Sequence, residues 1–226
     1  SIFTKARIEY QLHGKTDKDF LRYLEIASTQ NIKTAYDFSN INSHYWEVMC
    51  GAMFNNSFDF WTGIELTMEN YIGEDHYMYY PWLNLNYEPF KQLKMSFLIV
   101  DGENLYFGYD GGEKADYYKY ETTLNIRPAN FFDLEFKHRY HETEGKYIAR
   151  TYETEAKFQF HKNFWFRAIL QITNHDMIVY GENPRRISLY PLFTYKPSSK
   201  TAIYIGASGN EEQTEQISSR DFLKDY

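Results

Sequence analysis

The sequence holds one cysteine and no long apolar run. Cys50 alone excludes an internal disulfide and any cysteine-rich metal site. Within HYWEVMCGAMF it reads as a small hydrophobe on an apolar face. No stretch approaches the ~20 consecutive apolar residues of a membrane-spanning helix. Blocks of one charge are also missing. The net charge of −7 is scattered, which argues against nucleic acid as a partner. No secretory leader stands at the N-terminus, and a mature chain would lack one too, so the compartment stays open. Catalytic signatures are scarce: there is no G-x-S-x-G, H-E-x-x-H, P-loop or dinucleotide fingerprint. Of the seven histidines, His138 and His141 would fall on opposite faces of a strand, and His13, His44, His76, His161 and His175 sit singly near turns. No metal, cofactor or catalytic residue is expected.

What the chain has in quantity is aromatic side chain, 22 Tyr and 18 Phe among 226 residues, set in a two-residue rhythm. In FFDLEFKHRYH, Phe132, Leu134, Phe136 and Tyr140 alternate with Asp133, Glu135, Lys137 and Arg139. Strands send successive side chains to opposite faces, so this segment is a strand with one apolar and one charged surface. The pattern recurs about a dozen times in segments of about 11 or 12 residues, slightly above the ~9–11 that cross a bilayer at a tilt. A break near Ser28 to Asn31 is allowed for in the second segment, and the tail from Glu211 to Leu223 is too sparse in apolar positions to predict a helix.

The connections suggest an architecture. GKTDKD, NNS, EPFK, RPAN, HKN and KPSS read as short turns, while SNIN, NYIGED, the 101–115 segment, HETEGK and the 174–185 segment read as longer loops between them. Short turns at one end and long loops at the other are the habit of transmembrane barrels. Tyr and Trp gather toward strand ends, as interfacial girdles require. The expected fold is therefore all-β, an antiparallel up-and-down transmembrane β-barrel of about 12–14 strands spanning residues 1–226. It is either complete or part of a larger barrel, with the polar tail 209–226 a loop or a partial last strand.

On that reading Lys5, Arg7, Glu9, Lys94, Glu121, Arg127, Glu135, Lys137, Arg139, Glu153, Glu155, Lys157 and Arg167 line the lumen, with mixed signs that pair across neighbouring strands. The Gly- and Tyr-rich loop at 101–115 offers Tyr106, Phe107 and Tyr109 as candidates for binding a sugar or a protein. The expected function is a pore, or the membrane part of a transport or secretion assembly, with the lipid bilayer and other outer-membrane or periplasmic proteins as partners. The alternative is a non-enzymatic binding or scaffold module, a soluble β-sandwich or a component of a surface complex, since a soluble sheet also alternates. A barrel-borne hydrolase assembled across strands is a third reading.

The stretches IRPANFFDLEFKHRYH, YETEAKFQFHKNFWFRAILQ and ISLYPLFTYKPSSKTAIYIGASGNE resemble bacterial outer-membrane β-barrels. More narrowly, residues 120–210 are similar to the C-terminal barrel region of poorly characterised outer-membrane proteins that carry an N-terminal carbohydrate-binding-like module. The resemblance implies a bacterial outer-membrane location. No such module stands in this sequence, and no aromatic-terminated final strand ends it, so the expectation is a fragment or a barrel completed by other residues.

Overall fold

The computed structural model describes residues 2–15, 20–34, 41–71, 73–108, 111–177, 182–198 and 201–216. All regular structure among them is β. The strands are β1 (Ile2–His13), β2 (Leu21–Thr34), β3 (Ile41–Phe54), β4 (Phe58–Tyr71), β5 (Glu74–Phe90), β6 (Leu93–Gly108), β7 (Gly111–Ala129), β8 (Phe132–Thr143), β9 (Tyr147–His161), β10 (Phe164–Met177), β11 (Glu182–Ser198), β12 (Thr201–Gly206) and β13 (Gly209–Gln216). Sheet order follows chain order from β1 to β12, an antiparallel up-and-down arrangement, and β13 also pairs with β11.

β12 and β13 are two halves of a twelfth strand. Leu192 faces Gly206 and Leu189 faces Gly209, one uninterrupted register along β11. The gap at Ala207–Ser208 lies opposite Pro191. The Ala207 N–H donates to the Pro191 carbonyl at 3.2 Å, but proline has no N–H to return the bond.

The chain divides into two compact units, Ser1–Pro89 with Phe97–Lys119, and Phe90–Ser96 with Tyr120–Tyr226. In the second unit the registers put Phe132, Phe158 and Phe166 on one face, and Asp133, Lys157 and Arg167 on the other. Apolar positions fill 132–140, 152–160, 164–172 and 187–195, interrupted only by His138 and Thr154. Each stretch rises about 26 Å along its strand at ~3.3 Å per residue. In the first unit the same alternation sets Ile8, Ile26, Cys50 and Thr62 on one face and Arg7, Glu25, Gly51 and Trp61 on the other.

Burial is inverted relative to a soluble sheet. Glu25, Thr29, Thr143, Glu155, Ser188 and Thr194 are all buried, and all belong to the polar face. The apolar face is the open one: Ile8 is 79% exposed and Phe160 63%. Only five hydrophobic residues are buried among those described, against 24 large apolar side chains left exposed, so the described residues form no core of the kind a soluble domain buries.

Several boundaries differ from the sequence expectation. β2 runs unbroken through Ser28–Asn31 because every residue there pairs on both sides. The expected loop 101–115 is mostly strand: β6 continues to Gly108 and β7 begins at Gly111. Gly102 makes this possible. It holds φ +153°, and a Cβ there would lie 1.9 Å from the Tyr79 carbonyl oxygen, so β5 and β6 approach closely only at a glycine. Likewise β10 and β11 stay paired through Asn174–Arg185 to Met177–Glu182.

The alternation of short turns with long loops is also corrected. β4 and β5 lie two residues apart and β8 and β9 three, whereas β1 and β2, joined by the expected short turn GKTDKD, lie seven apart. The asymmetry is in the strands. At one end Phe54, Phe58, Phe132 and Phe164 adjoin the turns. At the other the strands run beyond the apolar stretch as polar ribbon, held by Asn70 to Asp75 (2.7 Å), Lys114 with Glu103 (3.3 Å) and Arg150 with Asp176 (2.7 Å).

Candidate functional site

The polar face carries the charged chemistry. In the second unit it forms a network of three ion-paired clusters. Arg127 pairs with Asp133 at 2.7 Å, and Asn125 donates to the same carboxylate at 2.7 Å. Arg139 joins Glu121 at 3.0 Å and Glu153 at 3.4 Å, and Lys137 lies between Glu135 (2.6 Å) and Glu153 (3.8 Å). Arg167 grips Glu155 with Nε and Nη2 at 2.7 and 2.8 Å, and Lys157 adds a third contact at 2.7 Å. Glu135 and Glu155 stand directly opposite on neighbouring strands. Like charges so placed repel, and the three surrounding cations offset that repulsion. Five bases and five acids make the network, so its formal charge sums to zero.

Nine of these ten were expected to line the lumen, Asp133 being the addition, and the structure brings them together. The other four expected residues, Lys5, Arg7, Glu9 and Lys94, behave differently. Arg7 pairs with Glu9 at 2.8 Å and with Glu25 at 2.6 Å. Lys5 and Lys94 lie exposed on β1 and β6 without an ion pair to a described residue. Glu25 was missed from the sequence. It is 6% exposed and takes hydrogen bonds from both Arg7 and Tyr23. Its polar phase in LRYLEIAS was the available signal, obscured by Arg22 on the opposite, apolar phase.

The expected loop-binding residues are not a loop cluster. Tyr106 and Phe107 lie on β6, Tyr106 half-buried, and Tyr109 lies outside the described residues.

Two tryptophans also depart from expectation. Trp61 and Trp82 stand on the polar face, directly opposite Gly51 and Gly63 respectively. A Cβ on Gly51 would come within 2.1 Å of the Trp61 ring, and one on Gly63 within 3.0 Å of Trp82. Each indole lies across the bare backbone of the next strand, the packing by which an aromatic compensates a sheet glycine. Trp165 shares the polar face, pairing with Gln159 and Thr194, so Trp46 alone of the four tryptophans is on the apolar face. Phenylalanine supplies the aromatic collar beside the turns. Phe54 stacks on Phe58 (5.9 Å), and in the second unit Phe132 stacks on Phe158 (4.3 Å) and Phe160 on Phe164 (5.4 Å). Toward the polar ribbon the second unit has Tyr120 against Tyr140 (5.2 Å) and His138 against Tyr152 (4.5 Å).

Beside the turns of the second unit, a cavity of about 440 Å³ is lined by Arg127, Asp133, Lys157, Gln159 and Trp165 among others. Among the described residues no three His, Cys, Asp or Glu side chains are placed to hold a metal ion.

No family model matches the chain, and no curated protein does. The narrower resemblance to barrels that follow a carbohydrate-binding-like module therefore rests on the quoted stretches alone. Among solved structures the chain is similar to OmpT, an outer membrane protein of Vibrio cholerae folded in vitro and determined in its trimer form. The two are 10% identical, the alignment covers 94% of this chain and 88% of that one, and the TM-score is 0.45.

Proposed function

We propose that the chain is a β-barrel of the bacterial outer membrane and acts as a pore. The inverted burial carries this reading: charged and hydroxyl side chains are shielded while Ile, Leu, Phe and Tyr stand open. Water penalises so large an exposed apolar face and lipid does not. In a bilayer the extended backbone must close on itself, which makes the up-and-down sheet a barrel. The apolar stretches reach about 20 Å across the membrane at a tilt of ~40°, near the ~25 Å band of such proteins. The Phe collar and the Tyr/His collar then mark the two interfaces.

The polar face becomes the lumen wall, lined by the thirteen charged residues named from the sequence together with Glu25. Its cationic side chains stay hydrated, with Arg7 and Arg167 each 41% exposed and Lys157 50%. That favours a water-filled conduit over a dry packed plug, which would serve as a scaffold. The test is extraction and conductance of the purified chain. The pore reading expects solubility only in detergent and discrete conductance steps in planar bilayers. Solubility without detergent would overturn the membrane assignment, and detergent dependence without conductance would replace the pore by a plugged anchor.

A further inference from the structure

The wall of the first unit differs in charge and surface from the balanced network of the second. Three cross-strand rows lie one above another on its polar face: Glu47–Glu65–Tyr80, Met49–Gly63–Trp82 and Gly51–Trp61–Asn84. Glu47 and Glu65 are directly opposed, a placement that brings Cβ atoms to ~5 Å and costs stability when both are charged. Glu47 accepts a hydrogen bond from Tyr45, and neither carboxylate has a Lys, Arg or His partner among the described residues. In the next two rows the indoles of Trp82 and Trp61, both on the polar face, lie over Gly63 and Gly51. Beside them Trp82 Nε1 and Asn84 Oδ1 are shielded from solvent and without a hydrogen-bond partner, a donor and an acceptor left open on β5.

Resting on the assignment of the polar face as a lumen wall, we propose that this wall binds an organic cation. An ammonium or guanidinium group sits at the Glu47–Glu65 pair, and the body of the solute lies over Trp82 and Trp61. The carboxylates supply charge that no cation among the described residues pairs with, and an indole face attracts a cation through its negative π surface. A neutral ring would gain the stacking alone.

The test uses the full chain in detergent micelles with Trp46 and Trp165 replaced by Phe, so that emission comes from Trp61 and Trp82. Three probes share one ring and differ in charge: 1-methylnicotinamide (a quaternary pyridinium cation), nicotinamide (neutral) and nicotinate (an anion). The expected result is saturable quenching by the cation and only linear, collisional quenching by the other two. Glu47→Gln/Glu65→Gln should weaken the cation's apparent affinity about tenfold or more, while Glu47→Asp/Glu65→Asp retains most of it. Heat-modifiable gel mobility confirms that each variant is folded. Saturable quenching by nicotinamide of equal strength would overturn the proposal in favour of neutral stacking. Equal response to all three probes, or an unchanged affinity in the Gln variant, would overturn it outright. Conductance separates the two readings. Cation-selective quenching without conductance removes the pore and keeps the cation site, and conductance without charge discrimination does the reverse.

Discussion

Leu170→Arg is the sharpest test of which face meets lipid. Leu170 lies on the apolar face of β10, 40% exposed, between Thr154 and Leu189 on its neighbours. The apolar stretch of this strand is centred on Ala168, so a rise of ~3.3 Å per residue at a tilt of ~40° puts Leu170 about 5 Å from the midplane. Phe160 on β9 adjoins the turn and lies about 10 Å or more from it by the same arithmetic. An arginine costs ~2–4 kcal/mol near the midplane and ~0–1 at the interface. Leu170→Arg should therefore destabilise the chain by about 2 kcal/mol more than Phe160→Arg, roughly a thirtyfold difference in folding equilibrium. The measurement is reversible guanidinium unfolding in lipid vesicles, followed by tryptophan emission and gel mobility. On a water-exposed face both substitutions would cost within ~0.5 kcal/mol. Equal and small costs at both sites would refute the lipid-facing assignment, whatever the conductance showed.

Arg167→Ala strips the two-pronged contact from Glu155, which is 5% exposed and stands opposite Glu135. The half-exposed arginine moderates the loss, so about 2 kcal/mol is expected in vesicle unfolding, largely recovered when Glu155→Gln removes the stranded charge. Gly102→Ala would drive its methyl into the Tyr79 carbonyl. It should cost about 2 kcal/mol or more and loosen amide protection where β5 meets β6, read by hydrogen exchange. Pro191→Ala restores the N–H opposite Ala207, whose own N–H already reaches the residue 191 carbonyl. A gain of about 0.5–1 kcal/mol is expected, with residue 191 appearing among the protected amides.

The strand content, the phase of each strand and the identity of the polar face were legible in the sequence because side-chain alternation is a local property of extended backbone. FFDLEFKHRYH fixes its two faces without reference to any neighbour. The ten ionic residues of the second unit were legible for the same reason. Strand length was not. Gly- and Tyr-rich segments such as 101–115 carry the local marks of a loop, and pairing with neighbouring strands overrides them. Nor was the partnership of Glu25 with Arg7, or the seating of Trp61 on Gly51 and Trp82 on Gly63. Each depends on which residues a register sets opposite or diagonal to one another, 10 to 19 residues apart in the chain.

By itself the sequence determined that this chain makes antiparallel strands with one apolar and one charged surface, since a period of two admits no helix. Only the tertiary structure decided which surface is shielded. Burial follows from how the strands pack within each unit, and a soluble sheet with the same rhythm would have hidden its phenylalanines. Here Glu155 is covered and Phe160 is open. The neighbours on adjoining strands likewise decided which charges cancel: Glu135 and Glu155, opposed by register, are flanked by Lys137, Lys157 and Arg167, while the opposed Glu47 and Glu65 have no ion pair among the described residues.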